Sequence, residues 1–412
     1  MPCTADRAGS VDSVPAVPAL VPTKTRALQR VGQVLAAAAS ERVRGGAAPS
    51  ADDVPRSPQE VGAEWLTSVL CGGTPDARAR SVAAPAVSAG TTTRGGLEVT
   101  YNDAGAAAGL PSRFFVKCTT TVAQRLMLGL GGLIHGEPGF YTHVRPALAI
   151  EAPVGYFAAV DPRSWRSIVL TEDVASTRGA RFWEPSTTIS REQIEDLLTN
   201  VAAWHGALWD SCRLGAWRWL KTPAEQMRVI DALIALADRT GIGAERARTV
   251  IPSALRPRQG ELFDGMRRSM QILSQGARTY LHGDLHIANT YCTEEGRMGV
   301  CDWQVALKGS WAHDYAYLLA TGLEVEDRRR WERDLLDFYL ERLAASGGQA
   351  LRREPAWTAY RQATLYPYFA WVYTIGRSRL QPSFQPEQTS LAMIERIAAA
   401  IDDLDSLAAV GL

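Results

Sequence analysis

The run His282-Gly283-Asp284-Leu285-His286-Ile287-Ala288-Asn289, followed at Val300-Cys301-Asp302-Trp303 by a second aspartate in an apolar stretch, decides how the rest of the chain is read. Asparagine occurs only three times in 412 residues. An H-G-D-x-x-x-x-N match therefore arises by chance on the order of once in a few thousand trials. Phosphoryl transfer needs metal ions held on a triphosphate and a carboxylate beside the attacking hydroxyl, and two aspartates with an asparagine supply those groups. Two other readings use the same residues. Asp284 and Asn289 are both common in turns between strands. His282, Asp284 and His286 alternate, so on a strand they share one face and, completed by His313 and Asp314, could be the ligands of a metallohydrolase. That last reading leaves Asn289 and an upstream lysine without a role.

The lysine is Lys117, in Phe114-Phe115-Val116-Lys117-Cys118. Only Lys24, Lys117, Lys221 and Lys308 are lysines and every other basic residue is arginine, so its setting is informative. A cation between apolar neighbours on a central strand is costly to bury unless an anion meets it, although a strand-end lysine can also snorkel to water. Upstream, Ser88 to Gly96 joins two strand candidates, and the backbone and hydroxyls of Thr91, Thr92 and Thr93 could lie over phosphates. A plain hairpin loop has the same composition. No G-x-x-x-x-G-K-[ST] occurs, and Gly129-Leu130-Gly131-Gly132 lacks both the leading strand and the last glycine of a dinucleotide fingerprint.

The catalytic-type run resembles that of the aminoglycoside phosphotransferase and choline kinase family, relatives of the protein kinases, in which H-G-D-x-x-x-x-N is followed by an aspartate some dozen residues on. Protein kinases carry H-R-D-L-x-x-x-N with the same Asp to Asn spacing. The resemblance extends over about residues 80 to 322. It implies a bilobal α+β protein-kinase-like fold, ATP and Mg²⁺ as cofactors, and a small-molecule hydroxyl as acceptor. Asp284 would be the base, Asn289 and Asp302 the magnesium ligands, and His282 a structural residue. Lys117 would contact the nucleotide phosphates and pair with a helix glutamate, for which Glu137 in Glu137-Pro138-Gly139-Phe140-Tyr141 is the candidate, with Pro138 expected to kink its helix. Leu170-Thr171-Glu172-Asp173-Val174 resembles the segment joining the lobes beside the adenine. Asp314 would cap a helix and brace the catalytic loop. The Asp302-Trp303-Gln304 run and the helical C-terminus are similar to the ecdysteroid kinase-like branch. A nucleotide-binding pseudokinase is the competing reading of another class.

Working outward, residues 1–55 read as a disordered leader and an accessory helix from Thr25 to about Arg44. Residues 56–172 read as a β-rich nucleotide-binding lobe, with a three-strand meander over Ser81 to Ala89, Leu97 to Tyr101 and Arg113 to Cys118. A helical stretch from Val122 to Leu148 and strands at Val154 to Ala159 and Ser167 to Leu170 follow. Residues 173–412 read as a helical catalytic and acceptor lobe.

Composition limits the partners. The 44 basic and 44 acidic residues balance, so no global field draws the chain to nucleic acid or an anionic membrane. Six cysteines without a C-x-x-C pair argue against a zinc site or a disulfide framework, and no apolar run is long enough to span a bilayer, so a cytoplasmic location is expected. Residues 184–280 carry 13 basic and 11 acidic groups, no excess that would suit a polycationic aminoglycoside. The aromatic residues from Trp357 to Tyr373 suit a core, with some left over for an acceptor cleft.

Overall fold

Alternation along Arg113-Phe114-Phe115-Val116-Lys117-Cys118 organises the N-terminal sheet. Phe114, Val116 and Cys118 bury one face of the strand in a single apolar cluster, which leaves Phe115 and Lys117 on the other face. The structure is a computed structural model that describes residues 24–44, 50–84, 86–185, 187–377 and 386–412; the leader expected over residues 1–23 lies outside them. The N-terminal part runs α1 (Lys24–Arg44), α2 (Ala63–Leu70), β1 (Ala79–Ala83), β2 (Val87–Ala89), β3 (Thr93–Tyr101), α3 (Asp103–Ala107), β4 (Arg113–Cys118), α4 (Val122–Leu130), α5 (Gly136–Gly139), β5 (Gly155–Val160) and β6 (Ser167–Glu172). The strands form one antiparallel sheet in the order β1-β3-β4-β6-β5, with β2 also paired to β3. The expected three-strand meander is four strands of a six-stranded sheet, because its first run is two strands rather than one.

The helical stretch expected over Val122 to Leu148 is broken. It ends after Leu130, where Gly132 takes φ +67°, and resumes at Gly136 before a wide π turn at Phe140–Val144. Pro138 does not kink a helix interior: it lies in the first turn of α5, where no helical partner exists for the missing N–H.

The C-terminal part runs α6 (Val174–Thr177), β7 (Arg181–Phe182), α7 (Arg191–Ala207), α8 (Arg213–Ala216), α9 (Pro223–Ile234), α10 (Leu236–Arg246), α11 (Gln259–Leu273), β8 (Thr279–Leu281), β9 (Thr290–Cys292), β10 (Met298–Val300), β11 (Leu307–Gly309), α12 (Ala312–Gly322), α13 (Val325–Ala345), α14 (Arg353–Ala363), α15 (Leu365–Ile375), α16 (Glu387–Asp403) and α17 (Ser406–Ala409). Capping boxes at Ser190/Gln193 and Thr222/Glu225 start α7 and α9.

The molecule is therefore an α+β fold of two lobes with two cores. One core lies under the N-terminal sheet, around Trp65, Leu97, Phe114 and Leu170. The other runs through the helices, around Trp204, Met266, Tyr315, Tyr339 and Ile397. Each fully buried side chain of this kind contributes about 1.5–3 kcal/mol. The accessory helix α1 packs on α4, where Glu41 takes two hydrogen bonds from the buried Arg125 guanidinium at 3.1 and 2.9 Å. No helix among the described residues is long and apolar enough to cross a membrane.

Candidate active site

Strand β8 ends at Leu281, and the chain then turns through His282 to His286 into a short 3₁₀ turn at Ile287–Asn289 and on to β9. Gly283 adopts φ +81°, and a Cβ there would overlap the Val305 carbonyl oxygen, so both backbone and space call for glycine. Asp314 clamps this turn. Its buried carboxylate accepts the His282 N–H at 2.6 Å and the Gly283 N–H at 3.0 Å, and lies 3.3 Å from both His205 Nε2 and His313 Nδ1. Burial works against that charge, but the hydrogen bonds from His205 and His313 outweigh it and hold the carboxyl well below the usual range. The expected capping role is corrected: α12 begins after Trp311, and Asp314 braces the loop from inside the helix.

His282 uses both ring nitrogens internally. Nε2 meets the Cys301 carbonyl at 2.9 Å and therefore carries the hydrogen, while Nδ1 accepts the Asp284 N–H at 3.3 Å. Burial lowers its pKa, which favours the neutral ring. The metallohydrolase alternative fails on this geometry. His282, Asp284 and His286 do not share a strand face, and among the described residues no group of three or more His, Cys, Asp or Glu could hold a metal.

Asp284 accepts the Tyr317 hydroxyl at Oδ1 over 2.8 Å and has His286 Nε2 3.7 Å from Oδ2, with about a third of its side chain exposed. Burial raises its pKa, yet His286, Tyr317 and His282 together bring it below the usual value. Asn289 donates its amide nitrogen to the Asp284 carbonyl at 2.8 Å, and the Asn289 carbonyl accepts the Cys301 N–H at 2.9 Å. That pair of bonds ties the loop to Asp302.

On the N-terminal sheet, Lys117 Nζ lies 2.8 Å from Glu137 Oε1 and 3.3 Å from Asp302 Oδ1. Burial lowers the lysine's pKa, but Asp302 and Glu137 more than reverse it, so the ammonium stays charged. Burial likewise raises Asp302, and Lys117 turns the balance downward despite repulsion from Asp284. Asp302 sits at φ 64°, ψ 64°, a strained conformation outside glycine that sets it at the entrance of the turn Trp303–Val305. Trp303 stacks on Phe140 with ring centroids 3.8 Å apart and tilts against His282 at 4.7 Å, so one indole fixes the segments carrying Glu137, Asp302 and the catalytic-type loop. Oxygen donors of this kind, two carboxylates that repel each other beside an amide, suit a hard divalent cation such as Mg²⁺.

The remaining sequence candidates are placed differently. Gly90–Thr92 is a tight turn between β2 and β3, shorter than the loop expected over Ser88 to Gly96. Thr91 Oγ donates to Gln304 Oε1 at 3.5 Å, whereas Thr92 and Thr93 are buried, Thr93 against Gln124 at 3.4 Å. Gln124 also donates to the Gly90 carbonyl at 3.0 Å and so fixes the turn. Glu172 has its side chain in an ion network: its carboxylate takes Arg178 at 2.8 and 2.6 Å, and its N–H donates to the Val154 carbonyl at 2.8 Å. Arg178 also reaches Glu151, which accepts the Tyr291 hydroxyl at 2.9 Å, so the network joins the end of β6 to the C-terminal lobe.

Sequence reasoning passed over Arg94, which stands opposite Lys117 in the β3–β4 register, and His205 and Tyr317. The spacing of Asp314 and Tyr317, one helical turn apart, was the available signal for the last.

A profile described as the phosphotransferase enzyme family matches residues 132–361, more than half of the chain. Among solved structures, a putative aminoglycoside phosphotransferase from Ralstonia eutropha is similar at 14% identity and TM-score 0.49, covering 84% of this chain and 96% of that one. A choline kinase from Streptococcus pneumoniae is similar at 12% identity and TM-score 0.44, covering 79% and 94%. An aminoglycoside phosphotransferase from Streptomyces rimosus is similar at 16% identity and TM-score 0.41, covering 68% and 89%. No curated protein matches the chain. On the extent of the profile match, this two-lobed α+β chain is a phosphotransferase and belongs to the phosphotransferase enzyme family.

Proposed function

We propose that the enzyme transfers the γ-phosphoryl group of ATP to a hydroxyl of a small molecule, with residues 56–172 binding the nucleotide and residues 173–412 carrying the loop and the acceptor. The reading is carried by the placement of Lys117 between Glu137 and Asp302, across from Asp284. Lys117, oriented by Glu137, would hold phosphate oxygens, and Arg94 beside it would add a second positive charge. Asp302 and Asn289 would hold Mg²⁺. When bound, the ion neutralises charge on the β- and γ-phosphates. Asp284, kept ionised by its neighbours, takes the proton of the acceptor hydroxyl as that oxygen bonds to the γ-phosphorus. The bond from that phosphorus to the bridging oxygen breaks, and ADP leaves with the electron pair. Asp314 contributes by holding His282 and Gly283 so that Asp284 keeps its position.

The test is a screen of hydroxyl-bearing metabolites and antibiotics for ADP release, with Asp284→Asn as the blank. Acceptor-dependent ADP release by the wild type and none by the variant is expected. Tight nucleotide binding with no release for any acceptor would instead identify a pseudokinase.

A further inference from the structure

Lys221, one of the four lysines of the chain, meets the glycine pair that follows α4. Its Nζ donates to the Gly132 carbonyl across 2.7 Å, and Gln226 Nε2, in the first turns of α9, donates to the Gly131 carbonyl across 2.9 Å. Two carbonyls at the end of a helix are thus taken by donors from the C-terminal lobe, and an ammonium suits the negative end of the α4 dipole. Gly132 stands at φ +67°, and a Cβ there would overlap the Lys221 ammonium, so backbone and space both call for glycine.

The segment around Lys221 also grips α5, which carries Glu137. The Trp219 ring packs on the backbone of Gly139, and the Gln304 carbonyl packs on Gly136, in both places too closely for a side chain. The Lys221 backbone is itself fixed to the chain beyond Asp302: its carbonyl accepts the Lys308 N–H at 2.9 Å, and it forms a parallel bridge with Leu307. Lys221 therefore joins the segment of Glu137 to the segment of Asp302, a second link beside the one that Lys117 makes directly. His135, the residue before α5, is held neutral by burial first and by the charge of Lys221 next. Lys221 is partly buried, and among the described residues no carboxylate lies within ion-pair distance of it. Burial lowers its pKa to about 8, against a smaller opposing pull from Glu225. A cation desolvated for a single carbonyl is a poor source of stability, so its use lies in what it holds in place.

We propose that Lys221 is a positioning residue for the nucleotide site: its tie to Gly132 sets α5 where Glu137 meets Lys117, so that the C-terminal lobe determines how that pair is presented to phosphate. The nucleotide part of this rests on the phosphotransfer reading above. A lysine rather than an arginine stands here because a compact ammonium fits against the bare backbone of Gly132, whereas a planar guanidinium is too wide for that approach.

Lys221→Met keeps the stem and its packing and removes the ammonium. Hydrogen exchange without nucleotide should show the amides of residues 133–141 opening roughly 10-fold faster in the variant, the scale of one hydrogen bond from a charged donor, with β8 and α12 unchanged. Calorimetry should show Mg·ATP affinity falling several-fold. The unfolding temperature should change little, because the lost bond and the removal of an uncompensated cation oppose each other. In a Glu137→Gln background the same substitution should cost little further affinity, since it acts through Glu137. A merely structural lysine would instead lower the unfolding temperature and leave both the exchange of residues 133–141 and the Mg·ATP affinity unmoved, which would overturn the proposal. An affinity loss that adds in full to that of Glu137→Gln would overturn it too. Should Lys221→Met fail to fold, Gln226→Met, which removes the neighbouring bond to Gly131, carries the same expectations. A wild type that binds no Mg·ATP sinks the nucleotide reading, and the exchange of residues 133–141 then decides by itself whether Lys221 holds the Glu137 segment.

Discussion

Tyr317 donates its hydroxyl to Oδ1 of Asp284 across 2.8 Å, from one helical turn beyond the aspartate that clamps the same loop. Helix α12 therefore sets both the position of Asp284 and part of its charge state. Asp284 lies below its ordinary pKa although burial opposes this, and Tyr317 is one of the groups responsible. A base with a depressed pKa is active above that pKa and fails as the pH falls through it. Tyr317→Phe removes one stabilising bond to the ionised form, so the acid limb of the kcat profile should move to higher pH. Turnover at neutral pH should change little, because the carboxylate stays ionised there with or without that bond. Steady-state rates from about pH 2.5 to 8 check this, and an unmoved limb would remove Tyr317 from any role in the charge state of Asp284.

Lys117 should need its shape as well as its charge. Its ammonium is within reach of Glu137 and Asp302 at once, and a planar guanidinium fills that space differently. Lys117→Arg should lower kcat/KM by about 10-fold or more, equivalent to about 1.4 kcal/mol of transition-state stabilisation. Wild-type kinetics in the folded variant would show that the lysine is a bystander.

Asp302 and Asp284 should separate in binding assays. A metal ligand acts on the bound ground state, whereas a base acts mainly in the transition state. Asp302→Ala should lose most of its Mg·ATP affinity and Asp284→Ala little of it; calorimetry showing equal losses would refute the division of roles.

Asp314→Asn should cost about 3 kcal/mol of stability, because it leaves buried donors without the charge they serve. The depressed pKa of Asp314 contributes stability that is present above the unfolded carboxylate pKa and lost as the pH falls below it toward the folded value. Thermal unfolding of the wild type should accordingly decline in acid, and the variant should show a shallower acid decline from a lower starting point.

Glu41 should matter to the nucleotide although it lies on α1, outside the region of the family match. It pairs with Arg125, the neighbour of Gln124, which fixes the turn holding Thr91. Glu41→Ala leaves a nearly fully buried guanidinium without that partner and should raise the KM for ATP several-fold with little change in kcat. An unchanged KM would mean that α1 packs on α4 without influencing the turn.

The loop around Asp284 was legible because its chemistry is written in consecutive residues. His282 to Asn289 is a local spacing, and so is the alternation that sets Lys117 on the opposite face from Phe114 and Val116. Strand and helix types followed for the same reason, since periods of 2 and 3.6 are properties of short windows. The break at Gly131–Gly132, the first-turn position of Pro138 and the service of Asp314 inside its helix were not legible, because each depends on what packs against the segment. His205 meeting Asp314 is a contact over 109 positions, whereas the pairing of Glu137 with Lys117, 20 positions apart, came from the family resemblance and not from a local pattern. By itself the sequence determined which groups were available and which faces of their elements they occupied. Only the tertiary structure decided that Trp303 would stack on Phe140, that Arg94 would stand beside Lys117, and that His205 and His313 would both turn a ring nitrogen to Asp314. Those relationships rest on close packing between distant segments, which no local pattern encodes.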